Sequence, residues 1–159
     1  MKKIILLGIL VLFSPFTVAE NSISRSKDTE AIFLMNGTCT EALINSKEEN
    51  SCKGILSHSV FKSGTLLFMY VFSKSETDFF ALKFFGDSEI NRGDDEKVMP
   101  VSYIEINSPN TKKSYKAVGK CIFQNPYNGM PAKIECEADT ENGVMKAKFL
   151  TDGNEPKNF

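Results

Sequence analysis

Three segments in the middle of the chain are dense in β-branched, aromatic and large apolar residues, and polar turn residues separate them. They are GTLLFMYVF (64–72), DFFALKFF (78–85) and VMPVSYIEI (98–106). Short runs of this composition, bounded by turn residues, are typical of β-strands. The first two are apolar on both faces, as expected for central strands covered on one side by the core and on the other by a helix, a loop or a partner.

Apolar and polar residues alternate from position 119 to position 149, on both sides of an Asn-Gly pair at 128–129. Asn-Gly is the strongest short signal for a two-residue hairpin turn, because both central positions need a positive φ. A turn there places Cys121 directly opposite Cys136, where a disulfide can form. A three-residue loop with a bulge at Gly129 is the competing turn, and it would shift the register by one residue and misalign the cysteines.

A second Asn-Gly pair at 142–143 predicts a further hairpin, with Ala138 opposite Ala147 and Cys136 opposite Phe149. The two hairpins together form a meander with one apolar face and one wet face. The apolar face contains Cys121, Phe123, Ile134, Cys136, Ala138, Ala147 and Phe149. The wet face contains Lys120, Lys133, Glu135, Glu137, Lys146 and Lys148. Lysine and glutamate side chains on neighbouring strands then favour the same register.

The complete pattern predicts about eight strands joined by short links, at 31–36, 52–61, 64–73, 77–86, 98–107, 113–123, 132–140 and 143–151. The fold class is therefore all-β, a small antiparallel β-sandwich or barrel. Two segments stay undecided. SKDTEAIFLMNG (26–37) is either a short helix that ends at Gly37 or the first strand, and TEALINSKEEN (40–50) has room for a helical turn.

The N-terminus carries Lys2 and Lys3, then ten apolar residues from Ile4 to Phe13, then the small residues Thr17 and Ala19 before Glu20. This is the pattern of a bacterial secretory signal peptide at 1–19, which leaves a single secreted domain at 20–159. The apolar run is shorter than the roughly 20 residues that cross a bilayer, which disfavours the alternative of a retained anchor. We expect a periplasmic or secreted protein without a stable membrane anchor.

Four cysteines, Cys39, Cys52, Cys121 and Cys136, follow this leader. An even number of cysteines in an exported chain predicts disulfides, and we expect the two local pairs 39–52 and 121–136. A tetrathiolate zinc site is the alternative. Zinc motifs usually contain closely spaced cysteine pairs, whereas the successive separations here are 13, 69 and 15 residues.

Charge and aromatic content limit the possible partners. Of the 19 basic and 20 acidic residues, Lys2 and Lys3 fall in the leader, which leaves a net charge of −3. This balance gives no electrostatic reason to expect nucleic acid as a partner. The remainder also contains 11 phenylalanines and five methionines, which either fill the core or in part line a cavity or a surface patch.

His58 is the only histidine, and strand alternation places it with Leu56 and Val60 on the core side. The neighbouring Ser57 and Ser59 raise the possibility of a hydrolase. The chain contains no Gly-x-Ser-x-Gly turn or comparable arrangement, so we expect a half-buried histidine bonded to the backbone. Paired carboxylates brought together by distant strands stay open as an enzymatic alternative, although a chain without tryptophan is a less usual sugar-binding enzyme.

The loop GDSEINRGDDEK (86–97) places Asp87, Glu89 and Asn91 at alternate positions, as in a calcium-binding loop. The glycine needed for the sharp turn comes one position late, at Gly93, and Arg92 occupies the required position. We therefore interpret the segment as a solvated hairpin loop with no metal. Exposed loop residues are the best candidates for contact with a partner. The candidate binding residues are Asp87, Glu89, Asn91, Arg92, Asp94, Asp95 and Tyr127.

The sequence thus predicts an exported soluble binding or inhibitor module without a catalytic site or a cofactor. Its partner would be an envelope protein that contacts the rigid loops of a disulfide-bonded scaffold. The alternative is a β-barrel carrier of a small apolar ligand. Both are analogies at the level of the fold, because no sequence motif identifies a reaction or a ligand.

Overall fold

The computed structural model of the protein describes residues 27–93 and 95–159. The expected signal peptide and the first residues of the expected domain, 20–26, lie outside this part of the chain. Eight long strands form the fold: β1 (Thr29–Ile44), β3 (Cys52–Phe61), β4 (Leu66–Ser73), β5 (Phe79–Gly86), β7 (Glu96–Ser108), β8 (Thr111–Gln124), β9 (Lys133–Thr140) and β10 (Gly143–Thr151). Three strands of two residues each accompany them: β2 (Lys47–Glu48), β6 (Ile90–Asn91) and β11 (Lys157–Asn158).

The long strands form a closed barrel. Each pairs antiparallel with the next long strand along the chain, and β10 pairs with β1 to complete the circle. Outside the barrel, Glu41 of β1 forms ion pairs across this closure with Lys146 at 3.0 Å and with Lys148 at 2.9 Å. The structure therefore confirms the all-β prediction and shows that the fold is a barrel. Closure also leaves no long strand with an unpaired edge.

The first strand is longer than predicted. β1 runs for 16 residues, whereas the apolar pattern indicated only 31–36. Its first half pairs with β3 and its second half, from Gly37, pairs with β10. A β-carbon at Gly37 would lie 2.1 Å from the carbonyl oxygen of Leu150, so glycine permits the close approach of β10. The helical alternative for 26–37 is wrong for its described residues from position 29 onward, and 40–50 contains strand and turn instead of a helical turn.

The register of the first predicted hairpin is confirmed, but its turn is different. Cys121 lies opposite Cys136, yet the β8–β9 ladder ends at Phe123 and Ile134. The connection is an eight-residue loop at 125–132, in which Gly129 has a φ of 73°. Asparagine side chains organise this loop: the carboxamide oxygen of Asn125 accepts from the backbone N–H of Tyr127 at 3.0 Å. Such bonds compete with ladder hydrogen bonds, which explains why the two-residue turn does not form.

In the second hairpin the predicted register is wrong by two residues. Ala147 faces Cys136, and the turn consists of residues 141–142. The hydroxyl of Thr140 donates to the carbonyl of Gly143 at 2.8 Å and stabilises this shifted turn. A shift of two residues leaves every side chain on its original face. The predicted apolar face is therefore buried, from Cys121 at 0% to Phe123 at 7% exposure.

The barrel interior is filled over most of its length. Its largest fully buried side chains are Tyr70, Phe68, Phe72, Phe84, Phe149, Leu56, Leu82, Met99, Ile104, Ile134 and Met145. Tyr70 donates its hydroxyl to the carbonyl of Ile134 at 3.4 Å. On the outer face of β5, Phe79 is 45% exposed, and a partner that covers this face stays a prediction. Phenylalanine side chains therefore fill much of the core, which is the first of the two roles that the sequence predicts for them.

Both predicted disulfides are present. Cys39 joins Cys52 between β1 and β3, and Cys121 joins Cys136 between β8 and β9. The Cα atoms are 5.9 Å apart in the first pair and 3.9 Å apart in the second. All four thiols are therefore used, which excludes the tetrathiolate zinc site. Two disulfides indicate an oxidising compartment.

Residues 27–93 and 95–159 include no helix long and apolar enough to cross a membrane.

Candidate binding site at one end of the barrel

A cavity of about 360 Å³ opens at one end of the barrel. Its wall consists of inward-facing side chains from five strands: Phe33, Met35, His58, Val60, Phe68, Phe123 and Ile134. Its rim is formed by the segment between β5 and β7 and by the loop between β8 and β9, with Pro156 beside them. The volume lies at the small end of the range for ligand pockets, roughly 300–1,000 Å³.

Strand register produces the aromatic wall. Phe33 of β1 lies opposite His58 of β3, which lies opposite Phe68 of β4. The three rings therefore form a row across neighbouring strands on the inner face of the barrel. His58 stacks on Phe68 with ring centroids 4.5 Å apart and an interplanar angle of 11°. Phe123 packs against Phe68 edge to face at 5.0 Å.

His58 faces the interior, as its place in the alternation predicts. Its Nε2 atom is buried and has no hydrogen-bond partner among the described residues, so this nitrogen does not form the expected backbone bond. Burial lowers the pKa of His58 to about 4, while the charge of Glu89 acts to raise this pKa and that of Lys97 to lower it. The imidazole is therefore neutral at neutral pH, and its Nε2 atom is enclosed by the surrounding side chains.

The rim is polar and held by contacts between the two loops. Lys97 forms an ion pair with Glu89. The backbone N–H of Asn125 donates to the carbonyl of Asp95 at 3.1 Å and ties the β8–β9 loop to the segment that precedes β7. Tyr127 lies over the wall, with its ring edge-on to Phe33 at a centroid distance of 6.2 Å. These contacts fix the width of the opening.

The structure brings several of the predicted site residues to this opening. Glu89, Asn91, Asp95 and Tyr127 line the cavity. The other candidates do not contribute in the same way: Asp87 and Arg92 are outside its lining, and Asp94 lies outside the described residues. Arg92 instead lies 4.0 Å from Glu96 in an exposed ion pair.

The sequence did not identify the aromatic wall as part of the site. Phe33, Phe68 and Phe123 belong to strands whose apolar pattern predicts burial alone. The excess of phenylalanine was a weak signal of a lined cavity. Only the position of each ring along the barrel determines whether it contacts the core or the opening.

No group of three or more histidine, cysteine, aspartate or glutamate side chains in the described ranges is arranged to hold a metal ion. The segment resembling a calcium loop instead forms a short hairpin, in which Asn91 of β6 pairs with Lys97 of β7.

Comparisons of the chain with models of known protein families, with curated proteins and with solved structures found no match. Function is therefore inferred from the geometry of the cavity.

Proposed function

We propose that the protein is an exported, non-enzymatic binding module that holds a small, mostly apolar ligand in the cavity at the end of its barrel. The observation that carries this proposal is the cavity of about 360 Å³, whose wall is aromatic and whose rim is polar. Small-molecule sites combine an apolar lining with a few placed polar groups. Eight-stranded barrels have room inside for one small ligand. Of the two functions expected from the sequence, these features favour the ligand carrier.

The surroundings of His58 argue against a hydrolase. Ser57 and Ser59 alternate with His58 along β3, so their side chains point to the opposite face of the strand, away from the cavity. A histidine with a pKa of about 4 is also a weak general base at neutral pH. The hydroxyls of Ser57 and Ser59 and the imidazole of His58 therefore do not meet in this cavity.

Export is the second part of the proposal. Two disulfides fit an oxidising compartment, and residues 1–19 have the pattern of a secretory leader. We infer a periplasmic or extracellular location, where a carrier would meet small molecules that enter or leave the cell envelope.

The test is a titration of the purified protein with naphthalene, followed by amide chemical shifts in NMR. Saturable binding of one molecule is expected, with the largest shifts in β3 and β4. In the variant Val60→Phe, which places a ring in the cavity, affinity should fall at least tenfold. Ile55→Phe is the matched control, because Ile55 lies on the same strand but is 48% exposed. Absence of saturable binding, or equal affinity in the Val60→Phe variant, contradicts the proposal.

An envelope protein as the partner is a second candidate, and exposed apolar side chains on the β8–β9 loop favour it. Tyr127 is 49% exposed and Met130 is 61% exposed. Exposed apolar side chains at a loop tip suit a protein contact better than solvent. A photo-cross-linking residue at position 130 should then form a discrete protein adduct in cells. The same probe at Val118, which is 79% exposed on β8, should form none. Matching cross-link patterns from the two positions would argue against this candidate.

A further inference from the structure

We propose that the ligand is an organic cation, an ammonium group attached to an apolar body, and that the acidic rim and the exposed rings at the opening of the cavity bind its charge. This inference rests on the proposed function and adds the charge of the ligand. It is argued from the charges of the rim, the rings at the opening and the apolar interior of the cavity.

The described residues that line the cavity carry a net negative charge. They include the carboxylates of Glu89 and Asp95 but only the ammonium group of Lys97, and His58 is neutral at neutral pH. Lys97 is paired with Glu89. The side chain of Asp95 is exposed and forms no ion pair or hydrogen bond with another described residue. A ligand cation at the opening would compensate this charge, whereas an anion would be repelled.

A third carboxylate, that of Glu155, adds to the negative potential at the opening. Glu155 directly precedes Pro156 of the lining, and its side chain is exposed. Partial burial raises the pKa of Tyr127, and the nearby charge of Glu155 raises this pKa further. Negative charge therefore reaches the opening from two separate segments of the chain, and such a concentration of one sign attracts cations.

The rings at the opening are arranged to accept a cation. Tyr127 is 49% exposed, and its ring meets that of the partly exposed Phe33 at 87° with a centroid distance of 6.2 Å. Rings at right angles leave more of their faces uncovered than stacked rings do. A cation within about 6 Å of the centroid is attracted to the face of a tyrosine or phenylalanine ring. An ammonium group beside Tyr127 would therefore contact aromatic carbon and lie close to the acidic rim.

The interior of the cavity suits the apolar part of the ligand. Behind the opening the lining includes Val60, Phe68 and Phe123, and the Nε2 atom of His58 is enclosed by its neighbours. These groups offer no partner for a charge, so the ammonium group stays at the rim. An apolar cavity of roughly 150 Å³ holds benzene. The cavity here, at about 360 Å³, has room for a ring together with an ammonium head group.

The experiment compares two probes that have the same shape and differ in charge. Benzyltrimethylammonium is the cation, and neopentylbenzene has a carbon atom in place of the ammonium nitrogen. Titrations followed by amide chemical shifts give the two affinities and their ratio. The wild-type protein should bind the cation more tightly than the neutral probe, and added sodium chloride should weaken the binding of the cation alone.

Variants at the opening should change this ratio. Asp95→Asn removes the uncompensated charge and should lower the preference for the cation about threefold. Tyr127→Leu removes a ring and should lower it by a similar factor, whereas Tyr127→Phe keeps the ring and should retain the preference. Asp87→Asn is the matched control for Asp95→Asn, because Asp87 lies in the same loop but outside the lining, and it should leave the ratio unchanged.

A side chain that only maintains the shape of the opening would change both affinities together and leave their ratio unaltered. The inference is overturned if the cation binds no more tightly than the neutral probe, or if neither Asp95→Asn nor Tyr127→Leu lowers the ratio. In that case the binding of naphthalene and its loss in Val60→Phe still support the proposed function. If naphthalene and both charged and neutral probes fail to bind, both proposals fail.

Discussion

At the scale of the residue, His58 links the cavity to the stability of the barrel. Its ring lies between Phe33 and Phe68 in the aromatic row, and burial holds its pKa at about 4, below the reference value of 6.5. The same burial that removes Nε2 from solvent therefore makes protonation of His58 in the folded protein unfavourable.

This depressed pKa predicts a pH-dependent loss of stability. Between pH 6.5 and about 4 the unfolded chain binds a proton at His58 and the folded protein does not. The free energy of unfolding is therefore highest above pH 6.5 and falls as the pH is lowered to 4, by roughly 3 kcal/mol from this group. Urea unfolding across this range should show a steeper decline in the wild-type protein than in His58→Phe. Carboxylates titrate in both proteins, so parallel curves would contradict the assigned pKa.

A second residue-scale prediction concerns Gly119, which lies where β8 and β9 approach closely. A β-carbon there would be 2.1 Å from the carbonyl oxygen of Glu137 and 2.4 Å from the β-carbon of Ala138. Gly119→Ala should therefore displace β9 and lower the free energy of unfolding by roughly 1–3 kcal/mol. The neighbouring Val118→Ala removes an exposed side chain and should change it by less than about 0.5 kcal/mol. Similar values for the two variants in chemical denaturation would show that the strands separate easily at this point.

At the scale of the element, each disulfide joins two neighbouring strands, but the two differ in burial. Cys121 and Cys136 are 0% exposed in the barrel interior, whereas Cys39 and Cys52 are only partly buried. The loops that they close span 15 and 13 residues. Loop closure alone therefore stabilises the protein about equally in the two cases, by roughly 3 kcal/mol each.

Replacing both members of a pair by alanine should separate these contributions. Cys121→Ala with Cys136→Ala loses the cross-link and also removes buried sulfur atoms from the core, so it should lower the melting temperature more than Cys39→Ala with Cys52→Ala. Differential scanning calorimetry measures the difference, and non-reducing peptide mapping checks that the remaining disulfide is intact. An equal or smaller effect of the buried pair would mean that the core repacks around the alanines.

At the scale of the whole molecule, closure makes the first and last long strands as well paired as the central ones. β1 bonds to β3 on one side and to β10 and β11 on the other. Edge strands normally open before the centre of a sheet, and a closed barrel has none.

Hydrogen exchange tests this consequence. The paired backbone amides of β1 and β10 should exchange as slowly as those of β4 and β5, because exchange requires the same global opening. The two-residue strand β11 lies outside the circuit of long strands and should exchange faster. Rapid exchange along the β1–β10 ladder would show that the barrel opens at this seam.

Local patterning determined much of the architecture. Alternation with a period of two assigned the faces of the β8–β9–β10 meander, and these assignments were correct even where the register was wrong, because a shift of two residues preserves them. The disulfide between Cys121 and Cys136 was predicted from the register of a two-residue turn, and the register is confirmed although the connection is a longer loop. Among the candidate residues in the loops, Glu89 and Tyr127 line the cavity and Arg92 does not, and their part in binding stays a prediction.

The remaining features depend on contacts between distant segments. Whether eight strands form a sandwich or a barrel depends on the stagger that accumulates from strand to strand, which no single strand encodes. β1 is long because β3 and β10 each pair with part of it. The loop at 125–132 follows its asparagine side chains instead of the Asn-Gly signal.

The sequence by itself therefore determined which residues are buried and which cysteines are paired, since both depend on neighbours along or directly across a strand. Only the tertiary structure decided that Phe33, His58 and Phe68 lie in a row at the open end of the barrel. The physical reason is that burial in a strand is a local property, whereas a cavity is the space left after all strands and loops have packed.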